Sequence, residues 1–177
     1  QNKIRAIYKN ISVDLRRYKE LKMFIHAEST VINGVDDDDL TAIVRLGTDL
    51  NDNFYQLEIP LKISTYGSLA PLDVWPEANN LDAKLEQLGK IKLARDLANA
   101  PINELFTSTN IDFGDLVLRV KGNPTLAQIR TIMLGVRNNN PLEKSAEIWF
   151  NELRSAGFDN DGGWAAVVNA DANFADV

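Results

Sequence analysis

The chain has 177 residues, 45% of them hydrophobic and 25% charged, with a net charge of -6 and no cysteine. That is enough chain for one domain with a substantial core, and it excludes disulfides, thiolate metal sites and cysteine nucleophiles. The charge is uneven: residues 1–22 hold seven Lys or Arg against Asp14 and Glu20, a net +5 against -11 elsewhere, which together make the -6.

In chain order, the opening QNKIRAIYKN has no initiator Met and no apolar signal core. It and the ending ANFADV read as cut ends, so the sequence is expected to be a fragment of a longer chain. Residues 1–20 are expected to be a basic lead-in that faces solvent or the chain's own acidic body. No aromatic platform or basic module motif accompanies them, so nucleic-acid binding is not expected. Leu21 to Ala27 is a short apolar run, expected as a buried strand. VINGVDDDD is a loop: Asn33-Gly34 is a turn dipeptide, and Asp36 to Asp39 repel one another. Leu40 to Leu46 and Phe54 to Leu61, separated by Asn51-Asp52-Asn53, read as an antiparallel hairpin.

Residues 64–79 are loop-like, with Gly67, Pro71 and Pro76. One packed helix is expected around 80–97. Asn79 or Asn80 is its expected cap, Asp82 falls in its first turn, and Leu81, Leu85, Leu88 and Ile91 form its apolar stripe. Gly89 weakens it and Pro101 ends any continuation. Residues 99–114 are turn-rich. Strands are expected at Leu116–Val120, Ile129–Val136, Ala146–Leu153 and from Trp164 to Val168, with a turn at Gly122-Asn123-Pro124. Short strands with turn signals between them argue for a mainly β fold: an antiparallel β-sandwich, jelly-roll or galactose-binding-like. The single domain is expected over 21–168, with a tail over 169–177. No apolar run approaches the roughly 18 residues a membrane helix needs.

The candidates for chemistry are sparse. His26 is the only histidine, and on a strand it shares a face with Glu28. With no serine in an elbow motif and no second histidine, a hydrogen-bonded, half-buried histidine is the expectation, and no catalytic residue is assigned. Asp159 and Asp161 stand like the start of a calcium loop, but the twelfth position falls on Ala170 instead of a Glu. They are weak calcium candidates, and no other cofactor is expected. The four aspartates could also collect a cation weakly. Trp75 and Trp164 lie beside loops and are the candidates for an interaction surface or for stacking a glycan. Trp149, between Ile148 and Phe150, is expected in the core. Asn151, Glu152 and Arg154 are expected to form a structural polar network that fixes their strand and its exit.

Seven stretches carry a resemblance: LKMFIHAE, VRLGTDLNDNFYQLEIPLK, VWPEANN, VKGNP, IRTIMLGVRN, SAEIWFNELRSAGFD and GGWAAVVNADANFADV. Together they cover most of the chain, and it resembles the SprA family (Sov in a relative), the outer-membrane translocon of type IX secretion and gliding motility. Residues 64–72 and 97–115 carry no matching motif. The resemblance implies a very large parent chain that forms a β-barrel in the outer membrane of a Gram-negative bacterium. It implies no enzymatic chemistry. This fragment would be a globular insertion that does not itself span the membrane, whose tail leads back toward the barrel. Large insertions favour the cell-surface side of such barrels. Its partners would be the rest of the barrel chain and other translocon subunits, with secreted cargo as a further one. A carbohydrate-binding jelly roll is the alternative.

Overall fold

Alternating apolar side chains give the strands one face to bury, and two such sheets stack on each other. The computed structural model describes residues 3–30, 32–64, 66–108 and 116–159, and the backbone of 170–172. Among the described residues ten strands follow in chain order: β1 (Ile4–Val13), β2 (Glu20–Ser29), β3 (Leu40–Gly47), β4 (Phe54–Pro60), β5 (Leu81–Lys84), β6 (Phe106–Thr107), β7 (Val117–Lys121), β8 (Ile129–Asn138), β9 (Ala146–Ala156) and β10 (Ala170–Ala172). Two helices interrupt them, α1 (Pro71–Val74) and α2 (Leu85–Leu97). One sheet runs β1-β8-β3-β4-β7-β6 and the other β10-β9-β2-β5, and the pairs are antiparallel. The mainly β, antiparallel, sandwich-like architecture expected from the turn spacing is what forms. The expected lead-in carries β1, which joins the large sheet through β8. The expected strand at 164–168 lies outside the described residues.

The core is the set of inward positions. Leu21, Met23, Ile25 and Ala27 of β2 meet Ala42, Val44 and Leu46 of β3, Tyr55, Leu57 and Ile59 of β4, and Leu118 and Val120 of β7. Helix α2 closes one end with Leu85, Leu88 and Ile91.

The helix begins later than expected. Leu81 and Ala83 point into the core from a strand, paired with Met23 and Leu21. Neither Asn79 nor Asn80 caps α2. Its N-cap is Lys84, with no side-chain cap, and the Leu85 N–H is met by the Lys19 carbonyl at 2.8 Å. Asn79, fully buried, instead pins Lys62: it accepts from the Lys62 N–H at 2.7 Å and donates to the Lys62 carbonyl at 2.8 Å. Asp82 lies on β5 and pairs with Lys22. At the far end Asn99 takes φ 50°, the left-handed stop that follows many helices.

Candidate interaction surface

The outer face of the small sheet is where the aromatic residues gather. Period-2 alternation turns Phe24, His26 and Glu28 of β2 outward, opposite Asn151, Trp149 and Glu147 of β9. Helix α1 then carries Trp75 onto this face. The His26 and Trp75 rings stand 5.7 Å apart, His26 and Trp149 4.7 Å, Trp75 and Trp149 6.3 Å, and Phe24 and Trp75 6.4 Å. The two tryptophans are tilted against each other rather than coplanar. Trp75 is partly covered, while Trp149 is 42% exposed and its indole N–H donates to Glu147 at 2.8 Å. Trp149 is therefore not a core residue, contrary to expectation. Its apolar neighbours Ile148 and Phe150 face inward, and alternation turns the ring between them out.

His26 holds this shelf together. Its Nδ1 lies 2.6 Å from the Val74 carbonyl, which can only accept, so Nδ1 carries a proton. Ser64 donates to the same carbonyl at 2.9 Å, and its Oγ is 3.0 Å from Nδ1. On the other side of the ring, Nε2 is 3.4 Å from a Glu28 oxygen, an ion pair when the ring carries both protons. Hydroxyl, imidazole and carboxylate thus stand in a row. Ser64 is only 4% exposed and its proton is committed to Val74, so the row clamps the Trp75 loop onto β2. The Ser64 N–H bond to the Ala27 carbonyl, at 2.7 Å, adds a backbone tie. His26 and Glu28 share a face as alternation predicts, and His26 is hydrogen-bonded as expected, but the ring is 2% exposed, buried rather than half-buried, and Ser64 joins it. Ser64 has no sequence signal beyond its place in a loop.

The other candidates are scattered. Asp159 is exposed, and its backbone N–H donates to the Arg17 carbonyl. Asp161 and Trp164 lie outside the described residues. Among the described residues, no three acidic or His side chains cluster as a metal would need. The aspartate loop is met by lysines: Lys62 reaches Asp38 at 2.8 Å, and Lys144 reaches Asp39 at 3.0 Å. Arg154 pairs with Glu152, and its guanidinium sits 5.2 Å over the Phe24 ring at the rim of the shelf. Asn151 stands opposite Phe24. Glu152 takes φ 54° where β9 bulges, so that Glu152 and Leu153 together face Met23.

Two further stretches expose large apolar side chains. Tyr66, Leu69 and Leu72, on the way to Trp75, are 80%, 95% and 66% exposed. Leu93, Leu97, Ile102 and Leu105 are exposed at and after the end of α2. Among the described residues, no helix is long and apolar enough to cross a membrane. A family model, SprA_N, described as motility related/secretion protein, matches residues 1–177. No curated protein matches the chain.

Proposed function

As the chain belongs to the SprA_N family of motility-related and secretion proteins, we propose that it is a non-enzymatic structural and interaction domain of an outer-membrane secretion translocon. The system is the type IX one that also serves gliding motility. The domain is placed at the cell-surface side of the outer membrane, against the rest of its barrel chain, other translocon subunits and passing cargo. The observation that carries this reading is the apolar surface described above. A sandwich with a well-filled core has no packing need to leave Leu69, Leu72, Leu93 and Leu97 in water, and grouped exposure of this kind marks surfaces that meet other proteins.

The test is made in the parent protein in its own cell. Leu69→Asp with Leu72→Asp, and separately Leu93→Asp with Leu97→Asp, are expected to lower secretion and gliding while the chain still accumulates. Unchanged secretion and gliding with both pairs would overturn the reading.

One observation favours a second reading, a glycan-binding module. Trp75 and Trp149 form a partly open aromatic pair beside the Glu147 carboxylate, and such pairs can stack sugars. Calorimetric titration with a panel of oligosaccharides, with and without calcium, separates the two. Saturable binding lost in Trp75→Ala, Trp149→Ala or Trp164→Ala would turn the function toward glycan recognition. Absence of any binding removes this reading and leaves the first.

A further inference from the structure

We infer that the free edge of β1 is a docking site for an extended, acidic polypeptide segment, which joins the large sheet as an added strand. β1 is ten residues long, stands outermost in that sheet, and is paired on one side only, with β8, among the described residues. The Asn138 N–H donates to the Lys3 carbonyl, and Lys3 lies opposite Asn138 when the register is continued from Ile4 and Arg137. The odd residues of β1 therefore turn their backbone groups to β8. The even residues Ile4, Ala6, Tyr8 and Asn10 turn theirs outward. This row of donors and acceptors runs without a break, since the register shifts only after Asn10.

The side chains specify the guest. β1 is exposed on both faces: Ile4, Ile7 and Tyr8 are 44%, 42% and 67% exposed. Arg5 and Lys9 flank Ile7 on one face, Ile4, Ala6 and Tyr8 share the other, and residues 3–13 contain no acid. Positive charge on an edge is a common defence against stray pairing. Here it also discriminates. In the antiparallel register that pairs the whole unbroken row Ile4–Asn10 with itself, a second copy of this chain would set Arg5 against Lys9 twice, and like charges directly opposite repel. An incoming strand with two carboxylates flanking an apolar residue on one face meets no such repulsion. It would place acids against Arg5 and Lys9 and its apolar residue against Ile7. Backbone bonds would supply affinity, and the alternate side chains selectivity. The site is independent of the aromatic shelf and of the family assignment.

The test uses the 177-residue chain and fluorescence anisotropy. The probe is a short labelled peptide with two glutamates flanking a valine at alternate positions and threonine elsewhere. Controls are the same peptide with lysines for glutamates, and with its edge-facing amides N-methylated. The acidic probe is expected to bind saturably, and both controls about tenfold more weakly or worse. Ala6→Pro removes an outward N–H without touching the ladder to β8, and is expected to weaken binding similarly. Arg5→Glu with Lys9→Glu should reverse the preference to the lysine peptide. No binding by the unmodified chain overturns the inference. So does equal binding of the N-methylated peptide, which would mean a general polyanion surface, or self-association through β1 in sedimentation.

Discussion

Glu58 is 2% exposed, yet it is charged: Arg119 approaches it at 2.7 Å and Arg137 at 3.0 Å, and Gln56 donates to it at 2.6 Å. Burial pushes its carboxyl up, but the hydrogen bonds from Arg137 and Gln56 and the two guanidinium charges hold it below the ordinary range. Glu58→Gln leaves both arginines without their counter-charge, and should cost about 3 kcal/mol in urea unfolding. Asp39 and Asp49 set the acid limit. Asp39 is lowered to about 2 by the Asn140 side chain, the Asp36 N–H and Lys144. For Asp49 burial acts upward, but the N–H groups of Asp52, Asn51 and Asn53 and the Asn53 side chain outweigh it and also bring it to about 2. Both folded values lie below the unfolded 3.8. Their stabilisation is therefore complete above that value and is lost as pH falls from about 4 through about 2. Melting temperatures across that window should fall steeply. Asp39→Asn with Asp49→Asn should melt lower at neutral pH and lose less on acidification. Alternation in FYQLEIP turns Gln56 and Glu58 away from the core, which the sequence states. It does not state that arginines 61 and 79 positions away would cover Glu58.

At the scale of elements, β9 and α2 show what local signals can and cannot carry. The bulge at Glu152 puts a non-glycine residue in the left-handed region, which costs about 1 kcal/mol, while its exposed ion pair with Arg154 returns only a few tenths. Glu152→Gly is thus expected to stabilise the chain by about 0.5 kcal/mol, read from the urea midpoint. Gly122 is the opposite case. It takes φ 69° in the turn after β7, and a Cβ there would run into the Asp52 carbonyl. Gly122→Ala should destabilise by about 2 kcal/mol or more. The β3–β4 hairpin, β2 and β8 were legible because their apolar alternation is strong. The start of α2 was not. Asn79, Asn80 and Asp82 look like a cap and first turn, and only the pairing of Leu81 and Ala83 with β2 reveals a strand. β1 carries little such signal, because residues 4–10 of IRAIYKNISV are exposed on both faces and only Ile11 and Val13 pack against the core.

Over the whole molecule, burial separates frame from surface. Leu88 is fully buried under α2, whereas Trp149 is 42% exposed. Leu88→Ala is expected to cost about 3 kcal/mol, and Trp149→Ala less than about 1, as measured by denaturant unfolding. That contrast makes the Trp149 variant a clean probe of binding. Turn spacing announced a two-sheet sandwich, and alternation on β2 and β9 contained the aromatic shelf. The approach of Trp75 rests on Ser64, Val74 and His26, and no local pattern encodes that clamp. The strand order holds a consequence of another kind. β1 waits for β8, more than a hundred positions downstream, while β2 meets β5 sooner on one edge and waits as long as β1 for β9 on the other. Pairing over such separations makes folding slow. A machine that delivers this chain from its N-terminus must keep β1 unpaired, and one edge of β2 open, until β8 and β9 have emerged. Both sheets therefore close late, and their closure reports that β8 and β9 have been delivered.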